Sequence, residues 1–215
     1  MKGISLITRR EGTTRETFRD YYEKQHAPLG MRYFPFCKYL RNHVIDASKD
    51  INFDVIMESY FPAGTDIATI NSGEIRAIMD VDERKFMKPE MIRSTSANEH
   101  IIKGAENSIA QAGTRRLMLL LNSNSSAQLS RANLDQWGAA LMGLQGVERI
   151  SLDIAMQQIS TYATFPYAAI LSLWLGTEAE AVQLPAAPEG VKLEVSVLTE
   201  VHETRPEVLA ERYQG

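Results

Sequence analysis

The chain has 215 residues, of which 44% are apolar and 23% charged, and its formal net charge is −4. These values are ordinary for a globular protein, and the acidic balance argues against a nucleic-acid or anionic-membrane partner, since both need a basic surface. No apolar run approaches the roughly 20 residues that span a bilayer, and the single cysteine, Cys37, excludes an internal disulfide. We therefore expect a cytoplasmic protein. Its four scattered histidines show no metal-ligand spacing.

The first predicted elements are a strand over residues 4–8 and a helix over residues 13–29. Thr13 and Glu16 match the capping box, in which a hydroxyl and a carboxylate satisfy free N–H groups at the start of a helix. Side chains at three- and four-residue spacing form one stripe on this helix: Phe18, Tyr21, Tyr22, Gln25 and Leu29. Pro28 is expected to end the helix, because proline disfavours the α conformation in the residue before it.

His26 lies on the flank of that stripe, four residues after Tyr22. A half-buried imidazole titrates near neutral pH, which makes it a natural candidate for proton transfer. The alternative is a histidine at a helix end that interacts favourably with the negative pole of the helix dipole. This helix alone leaves both interpretations open.

The strand predicted over residues 38–46 carries three polar side chains on one face. Tyr39, Arg41 and His43 alternate along it, so all three point to the same side of the sheet. Such a face could bind an oxygenated or anionic ligand and move protons, or it could be solvated, since antiparallel sheets often leave one side wet. Glu58, on the next strand, could orient a histidine or pair with Arg41.

The order of predicted elements in the first half is β-α-β-β-α-β, which is the ferredoxin-like unit. A linker of small and polar residues follows at 103–114, and the same order then resumes. The remaining predicted elements are strands over residues 53–61, 95–102, 116–121, 147–158, 166–175 and 191–201, and helices over 66–79, 130–144, 177–184 and 206–213. We therefore predict an α+β fold of two tandem ferredoxin-like units with antiparallel sheets.

Each exposed sheet face must be covered. The two halves could pack together into a closed barrel within one chain, or each could pair with a second chain in a homodimer. When the halves are laid over each other, Met142 corresponds to His26, and the second half has no histidine before His202, which we place beyond the last strand. A histidine that only one copy carries favours a functional role for His26.

Residues 1–102 resemble the EthD domain of the dimeric α/β-barrel superfamily. The segments that carry the resemblance are Thr14-Arg15-Glu16, Phe18-Arg19-Asp20-Tyr21-Tyr22, His26-Ala27-Pro28-Leu29, Tyr39, Asn42-His43-Val44, Phe53-Asp54-Val55, Asp82-Glu83 and Phe86. Tyr22 stands where many members have tryptophan. We expect Asp82-Glu83 to cap a short turn, without a catalytic role. Residues 115–202 resemble the same fold by topology only, and residues 203–215 form a C-terminal extension.

The resemblance implies a dimeric-α/β-barrel-type arrangement and an enzyme that acts on a small molecule, generally without a cofactor. We expect a lyase, isomerase or cyclase for an oxygenated aromatic, lactone or polyketide-like metabolite. The resemblance implies acid–base roles for His26 and His43, and the expected substrate-binding residues are Tyr22, Tyr39, Arg41 and Glu58. No metal is expected. The alternatives are a non-catalytic binding protein of the same fold and a haem-related member of the superfamily.

Overall fold

The computed structural model describes residues 1–105, 108–124, 129–158, 162–175 and 183–215. Within these ranges, eight antiparallel strands close one barrel in the order β1-β3-β2-β8-β5-β7-β6-β4. The strands are β1 (Lys2–Ile7), β2 (Lys38–Ala47), β3 (Val55–Tyr60), β4 (Arg93–Lys103), β5 (Arg115–Ser123), β6 (Val147–Gln158), β7 (Ala169–Leu175) and β8 (Val191–Thr204). The α+β class is confirmed, and the barrel closes within a single chain.

Helices lie on the outside of this barrel. They are α1 (Arg15–Tyr21), a π-helical turn (Tyr22–His26), α2 (Ala27–Tyr33), α3 (Ile67–Ile70), α4 (Gly73–Phe86), α5 (Arg131–Leu141) and α6 (Pro206–Arg212), with a 3₁₀ turn at Pro89–Met91. No helix among the described residues is long and apolar enough to cross a membrane. Most of the helix predicted over residues 177–184 lies outside the described residues.

The first helix differs from its prediction at both ends. Its N-cap is Thr14, whose hydroxyl accepts from the N–H of Thr17 while the Thr17 side chain accepts from the N–H of Thr14. The predicted pair of Thr13 and Glu16 is therefore wrong. Pro28 does not end the helix, because it falls in the first turn of α2, after the π-helical turn, where its missing N–H costs no regular hydrogen bond.

Two pairings, β2 with β8 and β4 with β6, join the halves of the chain. Strand β8 runs to Thr204, three residues further than predicted. In its antiparallel pairing with β2, His202 lies opposite Arg41. His202 is thus part of the barrel, and its placement beyond the last strand is wrong.

The barrel interior is divided between apolar and charged side chains. One part holds a cluster that includes Ile4, Leu6, Val44, Ile56, Met118, Leu120, Ile170, Val195 and Val197. The other part holds the buried charges of Lys2, Glu58, Arg116 and Asp153, which form ion pairs with one another. Burying so many charges is tolerable only because each has a partner of opposite sign.

Candidate functional site

A cavity of about 550 Å³ lies between the helices of the first half and the outer face of its strands. We call it the helix-side cavity. Its floor is formed by small side chains on three adjacent strands, namely Gly3, Ser5, Ser59, Ser94 and Ser96. Its walls include His26, Tyr22, Tyr39, Phe34, Phe36, Phe61 and Met79. An apolar pocket with a few convergent polar groups is the usual form of a small-molecule site.

His26 ends the π-helical turn and is 7% exposed at the wall of this cavity. Its Nδ1 lies 2.9 Å from Oδ2 of Asp82. The ring packs edge-on against Tyr22 and at a tilt against Phe86, with centroids 5.0 and 4.9 Å away. These contacts hold the ring in one orientation. Among the described residues Nε2 has no hydrogen-bond partner, so this nitrogen is the one available to a ligand.

Asp82 is the residue that the sequence analysis missed. It lies in the middle of α4 rather than in a turn, and its Oδ1 accepts from the hydroxyl of Tyr21 at 2.7 Å. Burial opposes ionisation, but the hydrogen bonds from His26 and Tyr21 lower the pKa of Asp82. An ionised Asp82 accepts from Nδ1–H of His26, and in the neutral imidazole this tautomer leaves a lone pair on Nε2. The only sequence signal was the presence of Asp82 among the EthD-like segments.

Two phenols line the same cavity as His26. The hydroxyl oxygens of Tyr22 and Tyr39 are 3.3 Å apart, and both residues are buried while lining the cavity. Tyr39 stacks on Phe36 with centroids 4.5 Å apart. Burial raises the pKa of Tyr39 to about 12, and the pKa of Tyr22 is also raised. Both hydroxyls therefore stay protonated at neutral pH. One of them donates to the other, and the second can donate to an oxygen of a bound molecule.

The structure does not bring His43 into the helix-side cavity. Its Nε2 lies 2.7 Å from Oε1 of Glu23, and the same carboxylate accepts from Nη2 of Arg41 at 2.7 Å. The ring of Tyr22 contacts both histidines, with centroids 5.0 Å from His26 and 5.7 Å from His43. Burial lowers the pKa of His43, which keeps its imidazole neutral. Each predicted catalytic histidine thus has its own carboxylate partner.

Arg41 and Glu58 also lie away from the cavity. Arg41 is held by Glu23 on the outer face of β2. Glu58 points into the barrel, where it pairs with Arg116 and with Nζ of Lys2 at 2.8 Å. The expectations that Glu58 orients a histidine or pairs with Arg41 are wrong. Side chains alternate along a strand, and that of Glu58 points into the barrel whereas Arg41, His26 and His43 lie outside it. Neither Arg41 nor Glu58 lines the cavity.

Comparisons with known proteins agree with this architecture. Residues 10–90 match the sequence model of the EthD domain, so the resemblance of the first half is confirmed. A crystal structure described as an anthrone oxidase-like protein superposes with a TM-score of 0.58 at 12% identity, covering 94% of this chain and 92% of that one. Identity at this level shows the fold alone. No curated protein matches the sequence significantly.

Two further solved structures are more distant. One is a candidate monooxygenase from Lactobacillus acidophilus NCFM, with a TM-score of 0.44 and 10% identity over 81% of this chain and 75% of that chain. The other is a candidate chlorite dismutase, with a TM-score of 0.44 and 9% identity over 98% of this chain and 97% of that chain.

Proposed function

We propose that this protein is an enzyme that moves a proton on a small oxygenated molecule without a cofactor, as a lyase, isomerase or cyclase. The observation that carries the proposal is the hydrogen-bonded pair of His26 and Asp82 at the wall of the helix-side cavity. An imidazole that lines a cavity, is oriented by a buried carboxylate and has its second nitrogen unpaired among the described residues has the arrangement of a general base.

The two phenols complete the chemistry. Nε2 of His26 would take a proton from a carbon next to a carbonyl, and ionised Asp82 would stabilise the resulting imidazolium. The carbonyl oxygen becomes negative as the proton leaves. One of the hydroxyls of Tyr22 and Tyr39 donates to the other, and the second would donate a hydrogen bond to this oxygen. Return of the proton to another carbon gives an isomerase, loss of a leaving group gives a lyase, and attack on a second carbonyl gives a cyclase.

The lining of the cavity supports a largely apolar substrate. Apolar side chains form most of the walls, among them Phe34, Phe36, Phe61, Met79 and Met87. The ion pair of Arg76 and Glu83 also borders the cavity. Hydroxyl groups on the floor, including those of Ser5 and Ser59, can bind a few oxygen atoms. A ring system that carries a carbonyl and one or two further oxygens fits this distribution.

Deuterium exchange tests the first step without knowledge of the product. The protein would be incubated in D₂O with a panel of small cyclic ketones, lactones and hydroxyaromatic compounds, and exchange next to the carbonyl would be followed by NMR. We expect catalysed exchange of at least one compound, and His26→Gln should reduce its rate by about 10²- to 10⁴-fold, the usual contribution of a general base. His100→Gln is the matched control, because His100 lies on β4 and does not line the cavity.

The same panel separates the alternatives. Saturable binding of a compound without exchange above the buffer rate would favour the non-catalytic binding protein. A shift of the haem absorption band on mixing with haem that is lost in His26→Gln would favour the haem-related member. Exchange that His26→Gln leaves unchanged would remove His26 from the mechanism.

We also propose that the chain consists of two tandem ferredoxin-like units, residues 1–102 and 115–202. The order of strands around the barrel supports this, because β4-β1-β3-β2 in the first half and β8-β5-β7-β6 in the second have the same relative order. Expressing residues 1–102 alone would test the domain boundary. A soluble fragment with native-like circular dichroism is expected only if that unit can cover its sheet, for instance by self-association.

A further inference from the structure

We propose that Glu23, His43 and His202 form a binding site for one divalent transition-metal ion at the seam between the two halves of the barrel. The site uses none of the residues that line the helix-side cavity. The proposal is therefore independent of the proposed acid–base chemistry.

Three separate elements bring these side chains together. Glu23 comes from the π-helical turn, His43 from β2 and His202 from β8. Oε1 of Glu23 is 2.7 Å from Nε2 of His43, and Oε2 is 3.4 Å from Nδ1 of His202. One ligand atom from each residue lies within 4.8 Å of the other two. The two imidazole rings meet edge to face with centroids 5.0 Å apart.

These distances are close to those of a metal site. Nitrogen and oxygen ligands bound at about 2.0–2.2 Å in tetrahedral geometry are about 3.3–3.6 Å from each other. The distance of 3.4 Å between Nδ1 of His202 and Oε2 of Glu23 already lies in this range. The contact of 2.7 Å between His43 and Glu23 would open by roughly 0.6–0.9 Å, because the ion would replace the hydrogen bond that now joins them. Two imidazoles and one carboxylate are a ligand set suited to Zn²⁺, Co²⁺ or Fe²⁺.

Neighbouring groups already orient two of the ligands. The second ring nitrogen of His202, Nε2, lies 3.0 Å from Oε1 of Glu200, which is the carboxylate contact that metal-binding histidines commonly make. Arg41 donates to both oxygens of Glu23. Arg41 also offsets the charge of Glu23, so we expect the affinity to come from the two imidazoles and to be low for Mg²⁺ and Ca²⁺, which prefer oxygen ligands.

An ion in this position would bridge the two halves. Strands β2 and β8 are neighbours in the barrel but belong to opposite ends of the chain. His202 keeps a side-chain exposure of 30%, which provides a route of entry from solvent. Since the three ligands come together only in the folded protein, binding should stabilise it against unfolding.

Titration of the full chain with Co²⁺ tests the proposal. Tetrahedral Co²⁺ bound through imidazole has visible absorption bands, so we expect saturation at one Co²⁺ per chain, displacement by Zn²⁺, and a higher melting temperature with either ion. His202→Ala should abolish the bands and the stabilisation. His100→Ala, which removes a histidine outside the site, should retain both.

Two results would overturn the proposal: the absence of saturable Co²⁺ and Zn²⁺ binding to the wild-type chain, or binding that His202→Ala leaves unchanged. Circular dichroism shows whether each variant is folded. If His202→Ala is not, His202→Gln and Glu23→Gln replace it, and the same loss of the Co²⁺ bands is expected in both.

Discussion

The helix-facing sides of the two halves have opposite character although the strand order is the same. In the second half, α5 packs Leu134, Trp137 and Leu141 onto a sheet face of leucine, isoleucine and valine side chains. In the first half, the corresponding face carries serines and a glycine under a cavity. The same arrangement of strands can therefore carry either a face packed with apolar side chains or a face that borders a cavity. We infer that the second half contributes stability and that the first accommodates the site.

The largest effect is expected inside the barrel, at Glu58. Glu58→Gln removes the charge that pairs with Arg116 and Lys2, both buried, and a buried pair that loses one member costs about 3–5 kcal/mol. Urea unfolding should show this loss. Glu148→Gln, at an exposed position on β6, should leave the free energy of unfolding nearly unchanged. If Glu58→Gln were as stable as wild type but slowed deuterium exchange, Glu58 would act in substrate binding or catalysis rather than in stability.

A pair of truncations compares the two helix-facing sides directly. Leu134→Ala, in the filled face, should lower the free energy of unfolding by about 3 kcal/mol, since it leaves a void among fully buried neighbours. Met79→Ala should cost about 1 kcal/mol less, because Met79 borders the cavity and lacks neighbours on one side. Equal losses in urea unfolding would contradict the contrast between the two faces.

Asp82 should act through His26. Asp82→Asn is expected to slow the exchange reaction by about tenfold or more, because the amide no longer holds the imidazole in the tautomer with a free Nε2. In the His26→Gln background the same change should have little further effect, since groups that act as a unit are not additive. Additive losses in the two backgrounds would show that Asp82 acts independently of His26. Asp135→Asn, in an exposed pair with Arg131, is the control.

The smallest effect concerns pH. The pKa of Asp82 is lower in the folded protein than the ordinary value of about 3.9, so its contribution to stability is present above that value. The contribution disappears as the pH falls through the folded pKa. The stability that wild type has over Asp82→Asn should therefore shrink as the pH falls below about 4. A difference that keeps growing below about pH 4 would mean that the pKa of Asp82 is raised instead.

Local patterns were sufficient for most of the strands. The prediction that Tyr39, Arg41 and His43 lie on one face of β2 is confirmed. Side chains point alternately to the two faces of any strand, whatever packs against it. The ends of the first helix were not predictable in the same way. A π-helical turn shifts the position of Pro28 relative to the helix hydrogen bonds, and the spacing of apolar residues does not reveal such a turn.

The sequence by itself determined the α+β class and the EthD-like segments of the first half, and it selected His26 as the candidate base, since these depend on local periodicity and motif. Only the tertiary structure decided which groups meet. It joined Asp82 to His26, placed Glu58 inside the barrel, and brought His202 from the last strand to Glu23 and His43. The first contact arises from packing of two helices, and the last from pairing of β8 with β2 as the barrel closes. No local sequence pattern encodes either arrangement.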